Sequence, residues 1–181
     1  MLRLFVCVWV PKELIKGIED LQKKILENGI KAKPVEKENF HVTITFLGDV
    51  NEGDMSEIKM KLDDCLKDMN EFHVNITELR IIPNDRQAKV LGVNVKSDEM
   101  RELIRIVGKN IGGSFHEEQK MTLCRVKSIT NKDLFRRFVE ENRNVNIGSF
   151  HVKNVALVKS VLTSRGPKYE TIHKTKLKKN E

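Results

Sequence analysis

The chain has one tryptophan, one tyrosine, three cysteines and four prolines in 181 residues. So few large polar aromatics exclude a row of exposed rings stacking on successive bases, and contact with RNA would fall to phosphate or to a terminal nucleotide. Cys7, Cys65 and Cys124 are odd in number, far apart and set among apolar neighbours. That pattern excludes a disulfide framework and a zinc-ligand spacing, and assigns the thiols to core packing in a reducing compartment. The longest apolar run, Leu4 to Val10, is far too short to span a bilayer, and no small-residue cleavage site follows it. A cytoplasmic protein without a membrane segment is expected.

What the chain does carry is charge. Lysine and arginine number 33 against 26 acidic residues, a net +7, and the excess gathers late, at Lys168, Lys174, Lys176, Lys178 and Lys179. Such a surplus favours a polyanionic partner such as RNA through counterion release. Apolar residues recur periodically throughout, so the chain is expected to be ordered, as one large domain or two intimately joined lobes, and monomeric.

Leu2 to Val10 reads as a buried strand that stops at Pro11, and Lys12 to Asn28 as an amphipathic helix with apolar residues at helical spacing. Ile30 to Val35 contains Pro34 and suits an edge strand or loop. A second helix is expected over about 54–68, a hairpin from Phe72 to Ile82 and Ala88 to Val95, and a third helix opened by Ser97 and stopped at Gly112-Gly113. After a polar loop at 114–119 come a strand from Lys120 to Lys127, a helix capped by Asn131, and two last strands over 150–162 and 168–175.

Between these elements, His41-Val42-Thr43-Ile44-Thr45-Phe46 forms an apolar strand. Its period of two puts His41, Thr43 and Thr45 on one face and Val42, Ile44 and Phe46 on the other. An imidazole that titrates near neutrality beside a hydroxyl donor suits a phosphate group. An echo raises the weight of that pattern. His41-Val42-Thr43-Ile44 matches Lys120-Met121-Thr122-Leu123, each followed by a helix and a strand, and 79 residues separate Thr43 from Thr122. Phe72-His73-Val74 matches Phe150-His151-Val152 at 78 residues. Near-constant offsets imply a duplicated strand-helix-strand core, around 40–82 and 119–162, within a single bilobal domain over 1–181. Thr43 and Thr122 would then face one another across a cleft, whereas His73 and His151 read as outward-facing strand residues.

With the His41 motif, Phe46-Leu47-Gly48, the second threonine, Arg125 and the late Leu162-Thr163-Ser164-Arg165-Gly166-Pro167-Lys168-Tyr169-Glu170, the chain resembles the two-histidine phosphoesterase superfamily. The nearest branch is that of the RNA 2',3'-cyclic phosphodiesterases, also named 2'-5' RNA ligases. The resemblance implies an α+β fold with two pseudo-symmetric lobes of antiparallel strands, helices on the outer faces and a cleft between them. It implies symmetric acid–base chemistry on a cyclic phosphate, needing neither metal nor cofactor. His41, Thr43, the Lys120 position and Thr122 would be catalytic, and Arg125 would bind substrate, an RNA ending in a 2',3'-cyclic phosphate or a related nucleotide.

The second motif departs from the pattern, because Lys120 stands where the family has histidine. A lysine ammonium binds phosphate, but its free pKa of about 10.4 suits proton donation near neutrality only where burial or cationic neighbours lower it. Three readings stay open: Lys120 as a tuned acid, His116 swinging in from the loop, or a phosphate-binding protein with weak or no turnover.

Overall fold

The computed structural model describes residues 1–180. These residues form β1 (Leu2–Trp9), α1 (Lys12–Leu26), β2 (Ile30–Pro34), β3 (His41–Val50), α2 (Met55–Leu66), β4 (Phe72–Ile82) and β5 (Val90–Lys96). They continue with α3 (Asp98–Ile111), β6 (Lys120–Ile129), α4 (Lys132–Asn142), β7 (Asn146–Val152), β8 (Asn154–Thr163) and β9 (Gly166–Lys176). The strands make two antiparallel sheets, one in the order β3-β1-β8-β9 and the other β2-β6-β5-β4-β7. The fold class is the α+β one expected.

Local chemistry explains the helices. In α1 the buried residues Ile18, Leu21, Gln22 and Ile25 recur every three or four positions, which lays one face on the core. Ser97 Oγ accepts from the Met100 N–H at the start of α3, and Asn131 Oδ1 from the Leu134 N–H at the start of α4, so each cap satisfies an otherwise orphaned donor. One main apolar cluster joins Val6, Val42 and Ile44 of the first sheet to Leu91 and Val93 of the second and to Leu103 of α3. A smaller cluster, Phe5, Cys7, Ala156 and Val158 with Trp9 and Tyr169 against it, covers the other face of the first sheet.

Two β-bulges set the orientation of the chemistry-bearing residues. In the pairing of β3 with β1, Thr43 lies opposite Cys7 and Thr45 opposite Val6, leaving Ile44 unmatched. In the pairing of β6 with β5, Thr122 lies opposite Gly92 and Cys124 opposite Leu91, leaving Leu123 unmatched. An inserted residue shifts the alternation by one. Thr45 is therefore buried, its hydroxyl donating to the Gly112 carbonyl at 2.8 Å, while Phe46 is 56% exposed. This corrects the simple alternation, which puts Thr45 with His41 and Phe46 opposite.

Each bulge is locked. The Leu123 carbonyl accepts from Gln22 Nε2–H at 2.7 Å and from the Val35 N–H at 2.9 Å. Gly92 allows the close approach of β6, since a Cβ there would lie 2.5 Å from the Met121 carbonyl oxygen. On β3, the Phe46 N–H and carbonyl exchange hydrogen bonds with the Ser114 backbone at 2.9 and 2.8 Å.

Two other sequence expectations change. The run 150–162 is not one strand: it breaks at Lys153, β7 lying beside β4 and β8 between β1 and β9. β7 buries Phe150 and Val152 and β8 buries Val155 to Val158, so apolar residues continue across the break and hydrophobicity alone does not mark the crossing. The two Phe-His-Val stretches are hydrogen-bonded neighbours, His73 opposite His151, with imidazole rings stacked 4.3 Å apart. In the sheets, β4, which follows α2, lies with β5 and β6, while β8 lies with β1 and β3.

Replacing Gln22 with leucine removes one of the two donors to the Leu123 carbonyl in a buried setting. Gln22→Leu is expected to lower the unfolding free energy by about 1–3 kcal/mol, measured by urea denaturation, with amide shifts concentrated at 121–126.

Candidate active site

His41 opens β3, held from behind by its own backbone. Its Nδ1 lies 2.6 Å from the Asn39 carbonyl oxygen. A carbonyl only accepts, so Nδ1 carries the proton and Nε2 is left as the basic atom. Nε2 lies 3.0 Å from Thr43 Oγ1, a hydroxyl that donates to the ring here and is free to rotate toward an anion. Around the imidazole stand Phe5, Tyr169 and Trp9, with ring centroids at 5.1, 5.5 and 5.7 Å. Trp9 is anchored by its indole N–H, which donates to Thr171 Oγ1 at 3.0 Å. Burial among these rings pushes the His41 pKa below its ordinary value, against the opposing hydrogen bond to Asn39. His41 is therefore neutral at pH 7, with a lone pair available on Nε2.

The same packing keeps other groups protonated. Burial raises the Tyr169 phenol, with Arg125 opposing, and raises the Cys7 thiol beneath Thr43. Cys124 is pushed up to about 11 by burial. Neither thiol offers a thiolate at neutral pH.

Across the cleft, Lys120 and Thr122 occupy β6 as His41 and Thr43 occupy β3, and Arg125, after the bulge, corresponds to Phe46. Lys120 Nζ lies 3.3 Å from Glu118 Oε2, and Glu118 Oε1 lies 2.7 Å from an Arg80 guanidinium nitrogen. Burial raises the Glu118 carboxyl, but the two cations outweigh it and hold it below the ordinary carboxylate range. Lys120 thus has an anionic counter-charge beside it.

His41, Thr43, Lys120, Thr122 and Arg125, the five residues picked from the sequence, line one cavity of about 290 Å³. His116 lines it as well, from the loop that leads into β6. That volume suits a ligand the size of one nucleotide. Glu118, Asn39, Phe46 and the aromatic collar were missed from sequence. The collar comes from β1 and β9, which no local motif joins, and Glu118 reads as one more charge in a polar loop. Among the described residues no group of three or more His, Cys, Asp or Glu is placed to hold a metal ion, and no helix is long and apolar enough to cross a membrane. Chemically, the arrangement offers a neutral base, two hydroxyl donors, an ammonium and a guanidinium around one anion-sized space.

The family model described as LigT like Phosphoesterase matches residues 8–91, a span that includes His41 and Thr43 and ends before Lys120. A protein of Methanocaldococcus jannaschii named RNA 2',3'-cyclic phosphodiesterase is 30% identical over 176 residues, covering 94% of this chain and 98% of its own. The chain belongs to the LigT-like phosphoesterase family. A Methanothermobacter thermautotrophicus protein of the same name is 31% identical, over 92% of this chain and 94% of its own. Among solved structures, a Thermus thermophilus protein superposes with a TM-score of 0.80 at 21% identity, over 99% of this chain and all of its own. Escherichia coli LigT complexed with 3'-AMP gives 0.76 at 18%, over 97% and 98% of the two chains. At these identities the superpositions speak for the fold of the LigT-like family.

For His41 in this LigT-like fold, burial penalises the cation, so its protonation midpoint by NMR is expected below about 6.5, with Nδ1 protonated in the neutral form. Trp9→Ala, which opens the collar to water, is expected to move that midpoint upward.

Proposed function

We propose that this chain hydrolyses the 2',3'-cyclic phosphate at an RNA end, leaving a 2'-phosphate and a free 3'-hydroxyl. The observation that carries the reading is His41 Nε2, fixed as a neutral base by the Asn39 carbonyl, in one cavity with both threonines, Lys120 and Arg125. His41 Nε2 takes a proton from water as its oxygen bonds to phosphorus. The bond from phosphorus to the ribose O3' breaks, and that oxygen takes a proton at the Lys120 position. Thr43 and Thr122 hydroxyls and the Arg125 guanidinium hold the non-bridging oxygens as charge builds on them. The proton gained by His41 and the one lost opposite return through solvent. No metal or cofactor enters these steps. With an RNA 5'-hydroxyl in place of water, the same transfers would form a 2'-5' linkage.

A second reading is favoured by one contact, the Lys120 to Glu118 ion pair. An ammonium with a carboxylate partner is equipped to hold a phosphate more than to give up a proton. On this reading the chain binds RNA ends through Thr43, Thr122, Lys120 and Arg125 with slow or no turnover.

A short RNA ending in a 2',3'-cyclic phosphate, assayed with the natural chain, His41→Ala and Lys120→His, tests both. His41→Ala is expected to lower the rate by about 100- to 10,000-fold, and Lys120→His to raise it. Measurable turnover by the natural chain at a rate unchanged in His41→Ala contradicts the site. Turnover confined to Lys120→His supports the binding reading and removes Lys120 as an acid. For the active chain, kcat/KM is expected to rise with pH and level off below about pH 6.5, because His41 must be neutral and its midpoint is depressed.

A further inference from the structure

His41 is a base at Nε2 only while Nδ1 holds the ring proton, and that depends on where the Asn39 carbonyl stands. A neutral imidazole with a misplaced acceptor at Nδ1 shares its proton between the two nitrogens, and a ring protonated at Nε2 cannot accept from water there. Asn39 ends a short turn of 3-10 helix, Lys37–Asn39, in which its N–H donates to the Glu36 carbonyl at 2.8 Å. Such turns are short and their hydrogen-bond geometry is poor. The carbonyl gains a second restraint from the side chain of the same residue.

Asn39 is 9% exposed. Its Nδ2 lies 3.1 Å from the Pro167 carbonyl oxygen and 3.4 Å from Glu36 Oε2. A carbonyl and a carboxylate both accept, so the amide presents its NH2 to them. Pro167 opens β9, and two residues on, by the period of a strand, Tyr169 lies on the same face. The Tyr169 ring packs edge-on against His41, with centroids 5.5 Å apart and planes at 88°. The Asn39 side chain therefore grips the strand that flanks the imidazole, while the Asn39 backbone grips the imidazole itself.

The same hairpin end is tied once more, by Lys33 Nζ donating to the Arg165 carbonyl at 3.0 Å, but in the open. An exposed lysine gives up much side-chain entropy to hold such a bond, so the shielded amide is the firmer tie. Across the cavity the same position is used differently. Glu118 precedes Lys120 by two residues, as Asn39 precedes His41, and meets it through a side-chain carboxylate. In both strands the residue two places earlier is thus the one bonded to the central nitrogen, a carbonyl facing the ring N–H of His41 and a carboxylate facing the ammonium of Lys120.

We infer that the Asn39 side chain is a positioning group for the base: by holding the Pro167 carbonyl it fixes the backbone carbonyl that keeps the His41 proton on Nδ1. The effect on rate rests on the phosphodiesterase reading, and the effect on the ring does not. An apolar side chain of the same shape would leave the Pro167 carbonyl without this donor and release the turn that carries the acceptor.

The test compares the natural chain with Asn39→Leu, which keeps the branched shape and loses both donors, and with the smaller change Asn39→Ala, thermal melts showing which variant is folded. Nitrogen NMR of the His41 ring at pH 7 is expected to show Nδ1 protonated and Nε2 bare in the natural chain, and the proton shared between them in the folded variant. On an RNA ending in a 2',3'-cyclic phosphate, the variant is expected to lose about 10- to 100-fold in kcat with KM held within about twofold, because Thr43, Thr122 and Arg125 are untouched. A proton that stays wholly on Nδ1 in a folded variant overturns the positioning role, as does an unchanged kcat beside a shared proton. So does a natural chain with Nε2 protonated. Absence of turnover by the natural chain contradicts the phosphodiesterase reading, and the ring measurement then decides the positioning role by itself.

Discussion

Ile44 and Leu123 each occupy a strand position with no partner in the neighbouring strand, and the cleft depends on both. In an unbroken strand, a residue five positions after His41 points away from it; with one residue inserted it points the same way. The bulges thus place three side chains from each strand on one wall: His41, Thr43 and Phe46 from β3, and Lys120, Thr122 and Arg125 from β6. Gln22, Gly92 and the Ser114 bridge hold these kinks, so helix, sheet and loop packing remote from the chemistry fixes the direction of the groups that would meet a phosphate.

Having paired the positions, the chain fills them unequally. The histidine on β3 is wrapped in rings that depress its pKa and carries its proton on the atom facing the backbone, which leaves a base. The lysine opposite is wrapped in charge, with Glu118 and Arg80 beside it. After the bulges come a phenyl ring on one side and a guanidinium on the other. A cavity built on near-twofold lines is thereby polarised along its length.

Much of this was legible in the sequence because it is local. Caps at Ser97 and Asn131, the helical spacing in α1 and the offset between the two threonine motifs each lie within one stretch or its copy. Register is not local. Whether Thr45 or Phe46 shares a face with His41 is decided by how β3 pairs with β1, and nothing in 41–46 alone announces the extra residue. The crossing at Lys153 was hidden because buried apolar residues continue on both sides of it, without glycine or proline to mark the break. The Phe-His-Val stretches pair with one another across one ladder, a contact that their sequence similarity does not announce. Glu118 and the aromatic collar were beyond reach for the same reason, since their meaning comes from elements far apart in the chain.

The most direct test of a phosphate held jointly by the two bulged strands is a crystal structure of the protein with a bound 2'-nucleotide monophosphate. The expected result is a phosphate within about 3.2 Å of both the Thr43 and Thr122 hydroxyl oxygens, with His41 Nε2 facing phosphorus. A phosphate bound to one strand alone, or outside the cavity, would contradict it.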